Sequence, residues 1–277
     1  QLKSLKEETG VVLPDSPTNT VSEDSISGQK EEHEFAALSL AKTKQVSELV
    51  KWADGKPIWM SWKLDGLTLV VTYDEGKLTK IVTRGNGHIG TNITHLAPAI
   101  KGVLPTISEK GHLVIRGEAV ISYADFERFL IETEGDYANP RNLASGSLTL
   151  KDVDEVKQRR IQWIPFTLVY TEKDINSWGE RMQFLDEMGF QTVERVDIQQ
   201  PTTDNIQADI DAFTLKVTQN VNPFPVDGLV ITYDDTQFAS TGSVTGHHAT
   251  RAGFAFKWQD EHADTTLDHF EWSCTAS

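Results

Sequence analysis

The chain has 277 residues, of which 38% are hydrophobic and 24% charged, enough for one large or two modest globular domains. No apolar run approaches the roughly 20 residues of a membrane helix, and the single cysteine, Cys274, excludes an internal disulfide framework and any multi-cysteine zinc site. With 26 basic and 41 acidic residues the formal charge is −15, which disfavours a surface that grips nucleic acid by itself, because that affinity comes largely from Lys and Arg neutralising phosphates.

Residues 1–34 are acidic and polar; Leu2 and Leu5 hint at the end of a helix, and the Pro- and Ser-rich stretch over 13–20 reads as an extended linker. From Phe35 the texture changes, and Val46, Leu49 and Val50 recur at helical spacing. Residues 57–83 predict two strands, with Thr68 to Tyr73 as β-formers, Asp74-Glu75-Gly76-Lys77 as a hairpin turn and a return strand from Leu78 to Thr83. Next come a strand from Leu113 to Ser122 and a helix from Asp125 to Thr133 with Phe126, Phe129 and Leu130 on one face. Ile161 to Tyr170 returns to strand, Ser177 to Met188 to a helix closed by Gly189, and Ile206 to Val217 to a further helix. Val226 to Tyr233 and Ala252 to Trp258 complete the core strands, and Thr265 to Trp272 starts one more. Strands and helices intermix without regular βαβ alternation, so an α+β fold is expected rather than a doubly wound parallel sheet.

The run Trp62-Lys63-Leu64-Asp65-Gly66 offers a candidate nucleophile. A free lysine amine, with a pKa of about 10.4, is protonated in water. Burial beside Trp59 and Trp62, or a neighbouring cation, would favour the neutral form that attacks electrophiles. Four further motifs sit at strand ends: Thr83-Arg84-Gly85-Asn86-Gly87, Arg116-Gly117-Glu118, Asp227-Gly228-Leu229-Val230-Ile231 and Phe256-Lys257-Trp258. Singly, each has an ordinary explanation as a turn or a snorkelling lysine. Their order, nucleophilic lysine, distal glutamate, Asp-Gly strand and late lysine, is that of covalent nucleotidyltransferases.

With these motifs, the run Tyr137-Ala138-Asn139-Pro140-Arg141-Asn142-Leu143-Ala144-Ser145-Gly146-Ser147-Leu148 resembles the adenylation domain of bacterial-type NAD-dependent DNA ligases, as a divergent member. ATP-dependent ligases and capping enzymes lack this run. Pro14-Asp15-Ser16-Pro17-Thr18 followed by Leu38-Ser39-Leu40 also looks like the family's lead-in. The resemblance implies a nucleotidyltransferase fold, unrelated to ATP-grasp, with antiparallel sheets enclosing a nucleotide cleft. It divides the chain into a remnant of an N-terminal helical domain and linker (1–34), the adenylation domain (35–265) and the start of a truncated OB-fold (266–277) at Phe270-Glu271-Trp272-Ser273.

The resemblance also implies roles. Lys63 would attack the α-phosphorus of NAD, expel nicotinamide mononucleotide and keep AMP as a phosphoramidate. Lys257 would contact the AMP phosphate, Glu118 the ribose, Arg84 the nucleotide site, and Ser39 and Leu40 the adenine. Phe166 falls where the family stacks an aromatic on the base, although a strand aromatic also serves as plain core. Asp65 and Asp227 match motif aspartates that either support the site or cap their turns; Gly66, Arg141 and Thr232 are supporting positions. Magnesium is expected for the later sealing steps, and no zinc within this chain. Nicked DNA would be engaged only through domains outside the chain, with no membrane contact, in a cytoplasmic monomer.

Several positions depart from the family pattern. Ser61 stands where a glutamate is usual, Thr232 where a lysine is, Thr149 where an arginine is, and Asn86, Thr91 and Asn92 where acidic residues are common. A lost charge-assisted phosphate contact is worth about 1.5–3 kcal/mol, so weakened rather than abolished chemistry is expected. A paralogue that binds adenine nucleotides without chemistry and an ATP-dependent ligase stand as alternatives. His247-His248 lacks the three or four convergent ligands of a zinc site, Cys274 reads as unreactive, and Trp258 and Trp272 read as packing residues.

Overall fold

The fold is described from a computed structural model, which covers residues 28–258 apart from 134, 243, 246, 247 and 250. In chain order the elements are β1 (Lys30–Glu32), β2 (Ala41–Thr43), α1 (Val46–Ala53), β3 (Ile58–Leu64), β4 (Leu67–Asp74), β5 (Lys77–Thr83), β6 (Ile89–Thr91), a 3-10 turn (Thr94–Ala99) and β7 (Leu113–Val120). There follow α2 (Tyr123–Thr133), α3 (Pro140–Ser147), α4 (Val153–Gln158), β8 (Gln162–Thr171), α5 (Trp178–Glu187), β9 (Arg195–Ile198), α6 (Thr203–Thr218) and β10 (Val226–Tyr233). The last are α7 (Thr236–Ser240), β11 (Val244–Thr245), β12 (His248–Ala249) and β13 (Phe254–Phe256).

Two sheets dominate this α+β architecture. One has five strands in the order β2-β13-β10-β3-β9, antiparallel except for the β2–β13 pair. The other has four antiparallel strands in the order β5-β4-β7-β8. Alternation along β3 explains how the first sheet is used. Ile58, Met60, Trp62 and Leu64 are buried on one face, where Trp62 packs edge-on against Phe213 of α6, ring centroids 4.5 Å apart. The opposite face carries Trp59, Ser61 and Lys63.

The chain passes from one sheet to the other through Asp65-Gly66. A Cβ on Gly66 would lie 2.1 Å from the Ala119 carbonyl oxygen, so only glycine lets the β3–β4 turn lie against β7. The β4–β5 hairpin turns through Glu75 (φ 49°) and Gly76 (φ 76°), consecutive positive-φ residues that suit a right-twisted two-residue loop. Side chains cap several helices; Asn139 for α3, Ser177 for α5 and Thr202 for α6 each accept a backbone N–H three residues on. Pro140 takes the first helical position after Asn139, where its missing donor costs nothing. The Asn-Pro-Arg-Asn run is therefore a helix start.

The expected strands and helices between Val46 and Phe256 are all present with ends shifted by a few residues. The short β1, β2, β6 and β9 were not anticipated, nor were α3 and α4. The expected lead segment up to residue 27, the strand Thr265 to Trp272, the OB-fold start, Cys274 and His247 lie outside the described residues. Trp258 does pack: its indole N–H donates to Thr214 Oγ1 at 2.9 Å on α6.

Candidate active site

Between the two sheets lies a cleft of about 430 Å³. On β3 the strand period aims Ser61 and Lys63 into it, and β10 runs alongside with Gly228 opposite Lys63 and Val230 opposite Ser61. The pairing is irregular between Val226 and Gly228, and such a bulge re-aims a side chain. The residue it leaves out of register, Asp227, reaches both lysines. Lys63 Nζ donates to Asp227 Oδ1 at 2.7 Å, and Lys257 Nζ lies 3.0 Å from Oδ2. A Cβ on Gly228 would come within 2.1 Å of the Phe256 carbonyl oxygen, so this glycine lets β13 approach and brings Lys257 to the carboxylate. Burial opposes the charge on Asp227, but the hydrogen bonds and charges of the two lysines outweigh it and hold the carboxyl below its usual range.

The second sheet supplies the facing wall. Glu118 on β7 pairs with Thr68 on β4; its carboxyl accepts the Thr68 hydroxyl at 2.9 Å and the Gly66 N–H at 3.2 Å. Burial pushes Glu118 up to about 7, against the pull of Thr68 and of the Lys63 and Arg141 charges. Two residues earlier, Arg116 donates from Nη2 to the carbonyls of Phe35 at 3.1 Å and Ala36 at 2.7 Å. Its Nε is buried with no partner, and burial pulls its pKa down to about 10. Arg116 thus ties down the segment that presents Leu38, Ser39 and Leu40 to the cleft. Arg84, just after β5, reaches Ser39 Oγ at 3.4 Å. Arg141, at the start of α3, lies 2.5 Å from Asp65 Oδ1.

The structure brings the candidate residues together: Ser39, Leu40, Ser61, Lys63, Gly66, Arg84, Glu118, Arg141, Phe166, Asp227, Thr232 and Lys257 all line this one cleft. Asp65 does not line it and instead holds Arg141. Phe166, half-buried on β8, both packs on the core and borders the cavity. The aromatic setting expected of Lys63 is different in kind. Trp62 points to the other face of β3, where its indole donates to Glu194 at 2.9 Å, and the nearest partner of Lys63 is a carboxylate. The divergent positions have local work to do: Asn86 Oδ1 accepts the N–H groups of His88 and Ile89, and the Thr149 hydroxyl donates to the Gly146 carbonyl.

Sequence reasoning missed Lys42, Arg116, Thr68 and Trp178 as cleft residues. Thr68 was accessible in principle, since a strand residue two beyond Gly66 faces the same way as it; Lys42 sits on a three-residue strand too short for a pattern. Six cationic side chains, Lys42, Lys63, Arg84, Arg116, Arg141 and Lys257, line the cleft against the carboxylates of Glu118 and Asp227. In a chain of net charge −15, this concentration of positive charge suits a polyanionic ligand. A larger cavity, about 680 Å³ among Leu78, Ile100, Val103, Asp125 and Arg160, contains no comparable cluster around a nucleophile. Among the described residues, no three His, Cys, Asp or Glu side chains form a group that could hold a metal ion, and no helix is long and apolar enough to cross a membrane.

The sequence model of the NAD-dependent DNA ligase adenylation domain matches residues 28–261. A DNA ligase of Lachnoclostridium phytofermentans is 40% identical over 281 aligned positions, covering 99% of this chain and 42% of that protein. A DNA ligase of Ruminiclostridium cellulolyticum is 40% identical over 280, with the same coverage of 99% and 42%. A solved structure described as a putative ATP-dependent DNA ligase from Aquifex aeolicus is 13% identical, covers 87% of this chain and 55% of that one, and superposes with a TM-score of 0.48. The chain spans less than half the length of the curated relatives it matches.

Proposed function

The chain belongs to the NAD-dependent DNA ligase adenylation-domain family, and on that premise we propose that it performs the first step of ligation, transfer of AMP from NAD to Lys63. The observation that carries this reading is the Lys63–Asp227–Lys257 arrangement, one carboxylate holding two ammonium groups at 2.7 and 3.0 Å at the foot of a cationic cleft. Lys63 Nζ first gives its ammonium proton to solvent, and the amine so freed attacks the α-phosphorus. The P–N bond forms as the bond to the bridging oxygen breaks, and the electron pair leaves on the phosphate of nicotinamide mononucleotide. The nitrogen so formed is cationic and strongly acidic, so even a carboxylate with depressed proton affinity takes its proton. Asp227 is within reach to do so. Lys257 offsets charge on the α-phosphoryl oxygens, Glu118 accepts ribose hydroxyls, and Phe166 with Leu40 borders the base.

NAD fits this cleft by charge and by the mixture of aromatic and polar lining. For magnesium, the cleft carboxylates are already engaged by Lys63, Lys257, Thr68 and Gly66, so they do not form a protein-only site for the ion, and no step above depends on it. Transfer of AMP to a 5′-phosphate at a DNA nick, and sealing, we assign to a protein with the full length of the relatives, acting in the cytoplasm.

Intact mass after incubation with NAD tests the proposal. A gain of one AMP that is lost in Lys63→Ala is expected, with no gain from ATP; an adduct surviving that substitution would overturn Lys63 as the nucleophile. A second reading, nucleotide binding without chemistry, is favoured by the uncharged Ser61 and Thr232 in the cleft wall. NAD binding that persists with no covalent product would support it.

A further inference from the structure

The cleft contains one ammonium group that the reaction just described leaves unused. Lys42 lies on β2, the edge strand, in register with Ala255 of β13, which is itself opposite Val230 of β10. Lys257 is two residues beyond Ala255 and its N–H bonds to the Thr43 carbonyl at 2.9 Å, so Lys42 and Lys257 emerge on the same face of neighbouring strands. Between Lys42 and the nucleophile this face of the sheet carries only Ala255, Val230 and Gly228, side chains short enough for the longer lysines to reach past them into the same cleft.

Lys42 is exposed at the mouth of the cleft yet close enough to feel the others: some burial, then the charges of Lys257 and Lys63, reduce its proton affinity, with Asp227 opposing. Both oxygens of Asp227 are already held by Lys63 and Lys257, and both oxygens of Glu118 by Thr68 and Gly66. Among the described residues Lys42 has no carboxylate partner. A third ammonium beside two that share one carboxylate is electrostatically unfavourable until an anion enters.

We infer that Lys42 binds the second phosphate of the adenylate donor, the one that departs when Lys63 takes the first. This rests on the Lys63 reading for the identity of the donor. The strand order supports the assignment: Lys63 on β3, Lys257 after β13 and Lys42 on β2 follow one another across the sheet. In an in-line displacement the leaving oxygen lies on the far side of the phosphorus from the nucleophile, which is the direction of Lys42. As the electron pair moves onto the departing phosphate, the Lys42 ammonium offsets the new charge, and its position at the mouth lets that phosphate exit to solvent.

The test compares NAD, with two phosphates, and AMP, with one, as ligands of the full 277-residue chain by calorimetry, together with the rate of lysyl-AMP formation at sub-saturating NAD. Lys42→Ala is expected to weaken NAD binding and slow adduct formation by about tenfold each, to change AMP binding less than about twofold, and to keep the melting temperature. Lys42→Arg restores most of the NAD effect. Unchanged NAD binding in Lys42→Ala, or equal weakening toward NAD and AMP, would overturn the inference. If the unsubstituted chain binds NAD but forms no adduct, the Lys63 reading fails while the NAD-to-AMP binding comparison still decides Lys42. If the unsubstituted chain does not bind NAD, both fail.

Discussion

Lys63 and Asp227 meet at 2.7 Å across the β3–β10 pair, and Asp227 reaches that position because the ladder slips between Val226 and Gly228. The same carboxylate holds Lys257 at 3.0 Å, so its loss leaves two ammonium groups side by side. Asp227→Asn is expected to slow lysyl-AMP formation by at least about a hundredfold, combining lost alignment of Nζ with a lost proton acceptor. Non-covalent NAD affinity should hold or rise, because the cleft becomes more positive. Adduct formation followed by intact mass and binding measured by calorimetry separate the two effects. Parallel losses in both would place Asp227 in nucleotide binding instead.

Glu118 gives a pH signature. Its folded-state value of about 7 lies above the ordinary 4.5 of a glutamate. A carboxyl shifted upward contributes stability that is fully present below the unfolded value and is lost as pH rises through the folded one. Between about pH 4.5 and 7 the protein therefore gives up stability on the order of 3 kcal/mol at most. Glu118→Gln keeps an acceptor for the Gly66 N–H and a donor for Thr68 without the buried charge. Its melting temperature should exceed that of the unsubstituted chain at pH 8, with the difference vanishing near pH 5, while adenylation falls. A difference independent of pH would remove burial of the charge as its cause.

Gly66 links the nucleophile's strand to Glu118. Its N–H donates to that carboxyl, and a Cβ would meet the Ala119 carbonyl oxygen at 2.1 Å. Gly66→Ala should force β4 away from β7, costing about 1–3 kcal/mol and lowering the melting temperature by several degrees. Adenylation should fall more than stability explains, because Lys63 and Glu118 lose their common reference. A variant that melts normally and reacts normally would contradict this close approach.

Much of this site was legible in the sequence because its parts are short, local signals. A lysine and an Asp-Gly step at the end of a β-rich run, or a glutamate after Arg-Gly in a strand, survive translation into structure because strand period fixes which residues share a face. The Asn139-Pro140 step was legible as a family marker but not as a helix cap, since eight residues from Pro140 to Ser147 with polar and small side chains give little helical periodicity. Of the neighbours expected for Lys63, Trp62 is adjacent in sequence and so turns its indole to the other face, whereas a neighbouring cation is present as Lys257, which shares Asp227 with it. Asp227 is 164 residues distant and is delivered by a bulge that no composition pattern announces. Lys42 and Arg116 were missed because their significance lies in what surrounds them, a shared cleft in one case and two backbone carbonyls in the other.

Arg116 is best tested by separating affinity from rate. Its Nη2 donates to the Phe35 and Ala36 carbonyls at 3.1 and 2.7 Å, and those residues lead directly into Leu38, Ser39 and Leu40 on the cleft wall. Arg116→Ala would leave those two carbonyls without this donor, a cost of about 1–3 kcal/mol where water cannot replace it, and would loosen the wall rather than the nucleophile. The chemistry at Lys63 depends on Asp227 and Lys257, which lie on the other sheet. NAD should therefore bind about tenfold more weakly while the rate at saturating NAD stays within a few-fold, and limited proteolysis should cut sooner within residues 35–40. A lysine side chain is one atom shorter and lacks the planar guanidinium that aims one nitrogen's two N–H bonds at both carbonyls, so Arg116→Lys should resemble Arg116→Ala in affinity although it keeps the charge. If Arg116→Lys instead restores full NAD binding, the residue acts through its charge on the nucleotide and not through the backbone it anchors.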